Sequence, residues 1–269
     1  MSRQRWWYTL LLMACVVGFW WFDNYGIHYF NNNSNSKSET ESPLLEAAWL
    51  PNSTTDVIVQ HNHYTLSYSE PHEQAEWVAY QLQQSHLTYD DRERPYFVED
   101  PKVATQSADW RNYKRSGYDR GHLCPAGDRR FSLAAYNETF YTSNISPQER
   151  HFNGGIWNRL ELKVRQWCKR YGTLTVITGG VLREPMDEIG EEGVTVPKAF
   201  YKVVFRYEGE TIKALAFLIP HQESKSHLKT FLVTLNELEA ATGIDFFYKL
   251  PVSVTDVLEQ QIDTSGWAF

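Results

Sequence analysis

Cysteine is scarce: only three occur in 269 residues, at positions 15, 124 and 168, and no C-x-x-C pair is present. His122, Cys124, His151 and Cys168 supply the residue types of a zinc site, but without paired cysteines they lack its spacing. Cys124 and Cys168 remain open to two readings, a disulfide or two buried thiols. Excess positive charge is missing as well. Lys and Arg number 26 against 33 Asp and Glu, a net charge of −7, which argues against a protein that coats nucleic acid. There is no internal repeat and no regular strand–helix–strand alternation. Strands mixed irregularly with helices point to an α+β fold with a mixed, largely antiparallel sheet.

Long apolar runs are also absent, with one exception. Arg3 and Arg5 precede an uncharged run from Trp6 to Phe22, bracketed by Trp6-Trp7 and Trp20-Trp21. Seventeen residues span about 25 Å, enough for a thin bilayer, and the tryptophan pairs suit its interfaces. The arginines stay on the cytoplasmic side in this reading, which puts the rest of the chain on the extracytoplasmic side. Cleavage as a signal peptide is the competing expectation, and would make the protein secreted. Residues 31–43, NNNSNSKSETESP, have nothing to bury and read as a tether. The expected organisation is therefore a membrane segment over 1–22, a polar linker over 23–60 and a catalytic domain over 61–269.

Within that domain, Tyr64–Tyr68 alternates like a strand, and Glu76–Leu82 suits a core strand or a short helix. Thr173–Thr178, Ala199–Tyr207 and Lys213–Pro220 read as strands, the last two as an antiparallel pair. Ile156, Leu160, Val164, Trp167 and Tyr171 recur at helical spacing over 155–171. Leu228, Phe231, Leu232, Leu235 and Leu238 predict another helix over His227–Thr242, stopped by Gly243. Between Lys102 and Arg170 the charge reverses locally, with 13 Lys and Arg against 6 Asp and Glu.

That basic third holds the two stretches most dense in chemistry, YDRGHLCPAGD at 118–128 and SNISPQERHFNGGIWNRLE at 143–161. His122 titrates nearest neutrality, so its neutral imidazole is the candidate general base. Arg120 offers a planar fork to phosphate oxygens. Asn153 is an uncharged oxygen donor of the kind that suits Mg²⁺, a hard cation that keeps most of its waters, and Glu161 could orient those waters. Capping of the following helix is the competing and compatible role for Asn153, and bracing of the loop beneath His122 the competing role for Asn144. Base, hydrated cation and arginine together describe phosphodiester hydrolysis.

DRGH at 119–122, SN at 143–144, the PQ that follows, Asn153, Glu161 and W-x-x-LE resemble the sugar-nonspecific DNA/RNA endonucleases of the ββα-metal-finger (His-Me finger) superfamily, the group of Serratia nuclease and endonuclease G. RPYFVEDPKV at 94–103 and VPKAFYKVVF at 196–205 extend the similarity over about residues 64–250. The resemblance implies a ββα-metal motif, with His122 as general base and Asn153 as sole direct protein ligand of Mg²⁺, or of Mn²⁺ or another divalent cation. It makes Glu161 a holder of metal-bound water, and Arg120 and Asn144 substrate-positioning groups. A second, upstream arginine could be supplied by Arg111, Lys114 or Arg115. Gly154, where many relatives carry glutamine, is a departure. DNA and RNA are the implied substrates and the membrane a partner through the N-terminal run; a homodimer and an inhibitor protein are left open. The rival reading is a membrane-tethered nucleic-acid-binding protein, used in DNA uptake, with little turnover.

Overall fold

The computed structural model describes residues 49–89, 91–183, 185–209 and 211–269. The apolar run 6–22 and the tract 31–43 lie outside the described residues, and no helix among those described is long and apolar enough to cross a membrane. The centre is a seven-stranded sheet: β1 (Ile58–Gln60), β2 (Thr65–Ser69), β3 (Gln74–Leu82), β6 (Leu174–Gly180), β9 (Ala199–Glu208), β10 (Thr211–Pro220) and β11 (Leu232–Val233), in that spatial order. Every neighbouring pair in it is antiparallel, so the sheet is not mixed. A parallel contact occurs only outside it, as the isolated bridge Val98↔Tyr141.

Helices cover both faces of this sheet, and β3 shows how the sequence encodes that. Its alternate residues Val78, Tyr80 and Leu82 enter one apolar cluster with Leu160, Val164 and Trp167. Trp77 and Ala79 enter a second with Leu235, Leu238 and Phe246. A strand buried on both faces reads as a nearly continuous apolar run, which is why 76–82 could pass for a helix. The first face carries α2 (Asn158–Tyr171), which ends at Gly172 with φ +89°. The second carries α3 (Leu235–Thr242) and α4 (Val252–Gln260), and a short α1 (Leu133–Glu138) precedes the site.

Two expectations need correction. The helix expected over 227–242 is a 3-10 turn at Leu228–Phe231, then β11, then α3. Leu228, Phe231 and Leu232 serve the first cluster, whereas Leu235 and Leu238 serve the second, so the segment crosses the sheet edge and cannot be one helix. Thr234 and Glu237 form a reciprocal capping box that fixes where α3 begins. Residues 49–60, assigned to the linker, are packed: β1 pairs with β2, the Thr54 amide donates to Glu76 at 2.9 Å, and Trp49 lies edge-on to Tyr207.

A smaller hairpin stands apart from the main sheet. β4 (Asp119–His122) pairs antiparallel with β5 (Ile145–Gln148). Beneath it, Tyr113 and Ile145 pack on Val194 and Val196 of β8 (Val194–Val196), itself paired with β7 (Asp187–Ile189). The chain leaves β5 through a widened turn, Phe152–Trp157, broken at Gly155 (φ −100°, ψ −108°), and runs directly into α2. Strand, strand and turn thus bring the DRGH stretch and Asn153 together, with the Asn153 amide on Asp119, and Glu161 follows in α2.

Candidate active site

The hairpin fixes the first residues. Alternation along β4 sends Arg120 and His122 to one face and Asp119 and Gly121 to the other. On the second face a Cβ at position 121 would overlap the Gln148 side chain. Glycine is required there because Gln148 is fully buried, with Nε2 and Oε1 both lacking a hydrogen-bond partner among the described residues.

His122 lies between aromatic rings. Phe97 is 5.5 Å from it, and Phe140 meets it edge-on at 5.0 Å. Burial, reinforced by the positive charge of Arg94, pulls its pKa down to about 3, so the imidazole is neutral at any physiological pH. Its Nε2 is buried and has no partner among the described residues.

Two guanidinium groups share the same aromatic frame. Arg120 stands 5.3 Å from the Phe97 ring and 5.2 Å from Trp110. Arg94 stands 5.2 Å from Phe97 and 5.4 Å from Phe140. Neither makes an ion pair among the described residues. Burial, with Arg94 adding to it, lowers the pKa of Arg120, yet an arginine stays charged near neutrality. Two like charges over one ring, with the Arg120 Nε buried and unpartnered, leave an anion from outside as the natural complement. These groups open onto a cleft of about 750 Å³ lined in part by Arg94, Tyr96, Trp110, Asp119, Arg120 and Asn153.

Asn153 sits in the widened turn, a geometry common at functional positions. Its Nδ2 donates to Asp119 Oδ2 at 3.2 Å. A carboxylate only accepts, so this bond fixes the orientation of the amide and turns its Oδ1 away from Asp119. A neutral carboxamide oxygen left free in this way suits a hard divalent cation that retains its waters.

Glu161 lies further along, in the first turn of α2. Burial raises its pKa to about 7, against the pull of Arg165 and Lys202. Its carboxylate receives Arg165 at 3.3 Å, and Arg165 also binds Asp128 at 2.5 Å. The Tyr80 hydroxyl donates to the other Asp128 oxygen at 2.9 Å. Lys202 is fully buried, bonded to Thr178 and 4.6 Å from the Trp157 ring. Glu161 therefore closes one side of a buried charged cluster that holds its side chain in place.

Asn144 is a correction to the substrate contact implied by resemblance. It is wholly buried. Its Oδ1 accepts from the Cys124 amide at 2.8 Å, and its Nδ2 donates to the carbonyls of Cys124 and Thr139. With its amide spent on backbone, it braces the loop after His122. Cys124 and Cys168 are both free and buried, which selects the thiol alternative. Arg111, Lys114 and Arg115 line a separate groove with Glu188 and Glu191, so Arg94 is the upstream arginine that reaches His122. Sequence reasoning named neither it nor Phe97 and Trp110 as site residues. The signal available was RPYF at 94–97, an arginine within helical or strand reach of an aromatic pair.

An antiparallel α+β fold with a guanidinium-walled cleft, and a neutral imidazole packed against its Phe97 wall, defines a phosphate-ester-handling enzyme. The family model for DNA/RNA non-specific endonucleases matches residues 43–253, and the chain belongs to that family and is a nuclease of the EndoG/EXOG kind. The mitochondrial nuclease EXOG of Danio rerio is 31% identical over 82% of this chain and 69% of its own length. Human EXOG is 34% identical over 77% of this chain and 61% of its own, so the chain spans roughly two thirds of these relatives. A crystal structure of the EndoG/EndoGI complex aligns with a TM-score of 0.69 at 29% identity, covering 74% of this chain and 89% of that one.

Proposed function

We propose that the protein hydrolyses phosphodiester bonds in both DNA and RNA without base specificity, using the β4–β5–α2 unit as a ββα-metal motif. The observation that carries this reading is the imidazole of His122, packed against Phe97 and Phe140 beside two arginines that make no ion pair among the described residues. Because Nε2 is the buried nitrogen, the proton taken from an attacking water goes to Nδ1. Arg120 and Arg94 bind the phosphate oxygens and favour the charge that accumulates there. Asn153 would hold Mg²⁺ or another divalent cation directly and Glu161 through water. When bound, that cation supplies positive charge to the phosphate and the leaving oxygen. Asn144 keeps the His122 loop in register and touches no substrate.

Removal of the base tests the assignment. In His122→Ala, cleavage of plasmid DNA and of RNA should fall about 10²- to 10⁴-fold with the melting temperature little changed. A variant that cleaves at close to the wild-type rate refutes the role.

The apolar run at 6–22 and the tract at 31–43 fit a tether that leaves the nuclease unit on the extracytoplasmic face of a membrane. Retention of the full chain in the membrane pellet after alkaline carbonate extraction is the expected result, and quantitative release into the supernatant would oppose it.

A further inference from the structure

Among the aromatic side chains that line the cleft, one is unpartnered. Phe97 carries Arg94 and Arg120 on its ring, and Trp110 carries Arg120 and Arg111. Tyr113 is buried, with its hydroxyl on the Ile145 carbonyl, and Tyr118 lies against His221. Tyr96 is 92% exposed and has no ring, cation or hydrogen-bond partner among the described residues, although it lines the same cleft.

The backbone near it is nonetheless fastened. Pro95 precedes it, and two residues later the chain is fastened on both sides, by the Val98 amide on the Phe140 carbonyl at 3.2 Å and the Thr142 amide on the Val98 carbonyl at 2.9 Å. Phe97 turns inward to His122 and Phe140. Its neighbour Tyr96 stays exposed. A lone exposed aromatic on a convex surface needs no explanation. Here a bare π-face stands in a cleft beside two guanidiniums that lack an anion, and that combination of backbone charge and stacking surface is how proteins hold single-stranded nucleic acid.

Resting on the nuclease reading of this site, we infer that Tyr96 is a stacking platform for an unpaired nucleobase next to the phosphate held by Arg94 and Arg120. Every base has a π-face, so the contact adds affinity without sequence preference, in keeping with a nuclease that ignores sequence. A base inside a duplex has both faces covered by its neighbours and meets the ring only after leaving the stack. The platform therefore discriminates by strandedness.

Binding without turnover provides the test. In the His122→Ala background, a fluorescent thymidine pentanucleotide and a pentanucleotide of the same phosphates carrying abasic tetrahydrofuran units are titrated onto the protein. The thymidine form should bind about tenfold tighter, the order expected for one stacked base. Tyr96→Ala should abolish that difference, and Tyr96→Trp should restore it. With the His122-intact protein, the ratio of kcat/KM for single-stranded over duplex DNA should fall about tenfold in Tyr96→Ala. Equal binding of the two pentanucleotides by the parent protein, or a base-dependent difference that survives Tyr96→Ala, overturns the platform. Absence of cleavage by the His122-intact protein on any polymer would instead refute the nuclease reading, and the pentanucleotide comparison reads separately from it.

Discussion

His122 shows how far a single environment can shift a residue from its usual behaviour. Two aromatic rings and Arg94 all disfavour the imidazolium, and no carboxylate offsets them, so the pKa falls to about 3. The consequence for the base is that it is never lost to protonation in mildly acidic medium. The consequence for stability has a definite sign. Between the ordinary histidine value of about 6.5 and about 3 the unfolded chain binds a proton at this position that the folded chain does not, so the folded state loses stability as pH falls through that window. An NMR titration of the His122 ring in metal-free protein should show no midpoint above pH 5, and Arg94→Gln should move the midpoint upward by removing the repelling charge. A midpoint near 6.5 in the parent protein would contradict the burial argument. His122, Arg120, Asn153 and Glu161 were singled out from the sequence because their chemistry sits in two short stretches whose residue types suit one reaction. Arg94, Phe97 and Trp110 were not, because an arginine stacked on a ring has no local signature and only the fold brings them to His122.

Element by element, legibility followed the clarity of the period. The strands at 199–208 and 211–220 and the helix at 158–171 lie close to where alternation and helical spacing put them. The segment 227–242 defeated the same rule, since apolar residues serving two different clusters mimic one helical face, although the Thr234–Glu237 capping box that marks the true start of α3 was present in the sequence. The packing of α3 against α4 carries a charge conflict. Glu239 of α3, Asp245 and Glu259 of α4 bring carboxylate oxygens within 4.8 Å of one another. Burial first, then Glu259 and Asp245, raises the Glu239 pKa to about 7. A folded pKa above the unfolded value means that this group favours the fold below about pH 4.5 and that the contribution disappears as pH rises through about 7. Glu239→Gln keeps an oxygen for the Phe246 amide, which the native side chain holds at 3.0 Å. It should therefore raise the melting temperature at pH 8 and do so much less at pH 5. An equal shift at both pH values would show that the three carboxylates do not oppose one another.

At the scale of the whole molecule, the net charge of −7 and the basic third between Lys102 and Arg170 act in opposite directions on a polyanion. The net charge opposes nucleic acid, and Arg94 and Arg120, which line the cleft, have no ion pair among the described residues with which to share their charge. A protein that coats its target would spread phosphate contacts over many residues. Here few phosphates can be neutralised at once, and the salt dependence should report that number. Each phosphate contact displaces condensed counterions, contributing about −0.7 to the slope of log affinity against log salt on single strands and about −0.9 on duplex. The slope of log kcat/KM against log NaCl, measured at fixed Mg²⁺ on a single-stranded substrate, should be shallow, corresponding to a handful of contacts. Arg120→Ala should flatten it by roughly one contact's worth, and Arg94→Ala should do the same, while Arg111→Ala, in the separate groove, should leave it unaltered. If Arg111→Ala flattened the slope as much as Arg120→Ala did, the substrate track would run through the second groove as well, and Arg94 and Arg120 would not be the groups that set it.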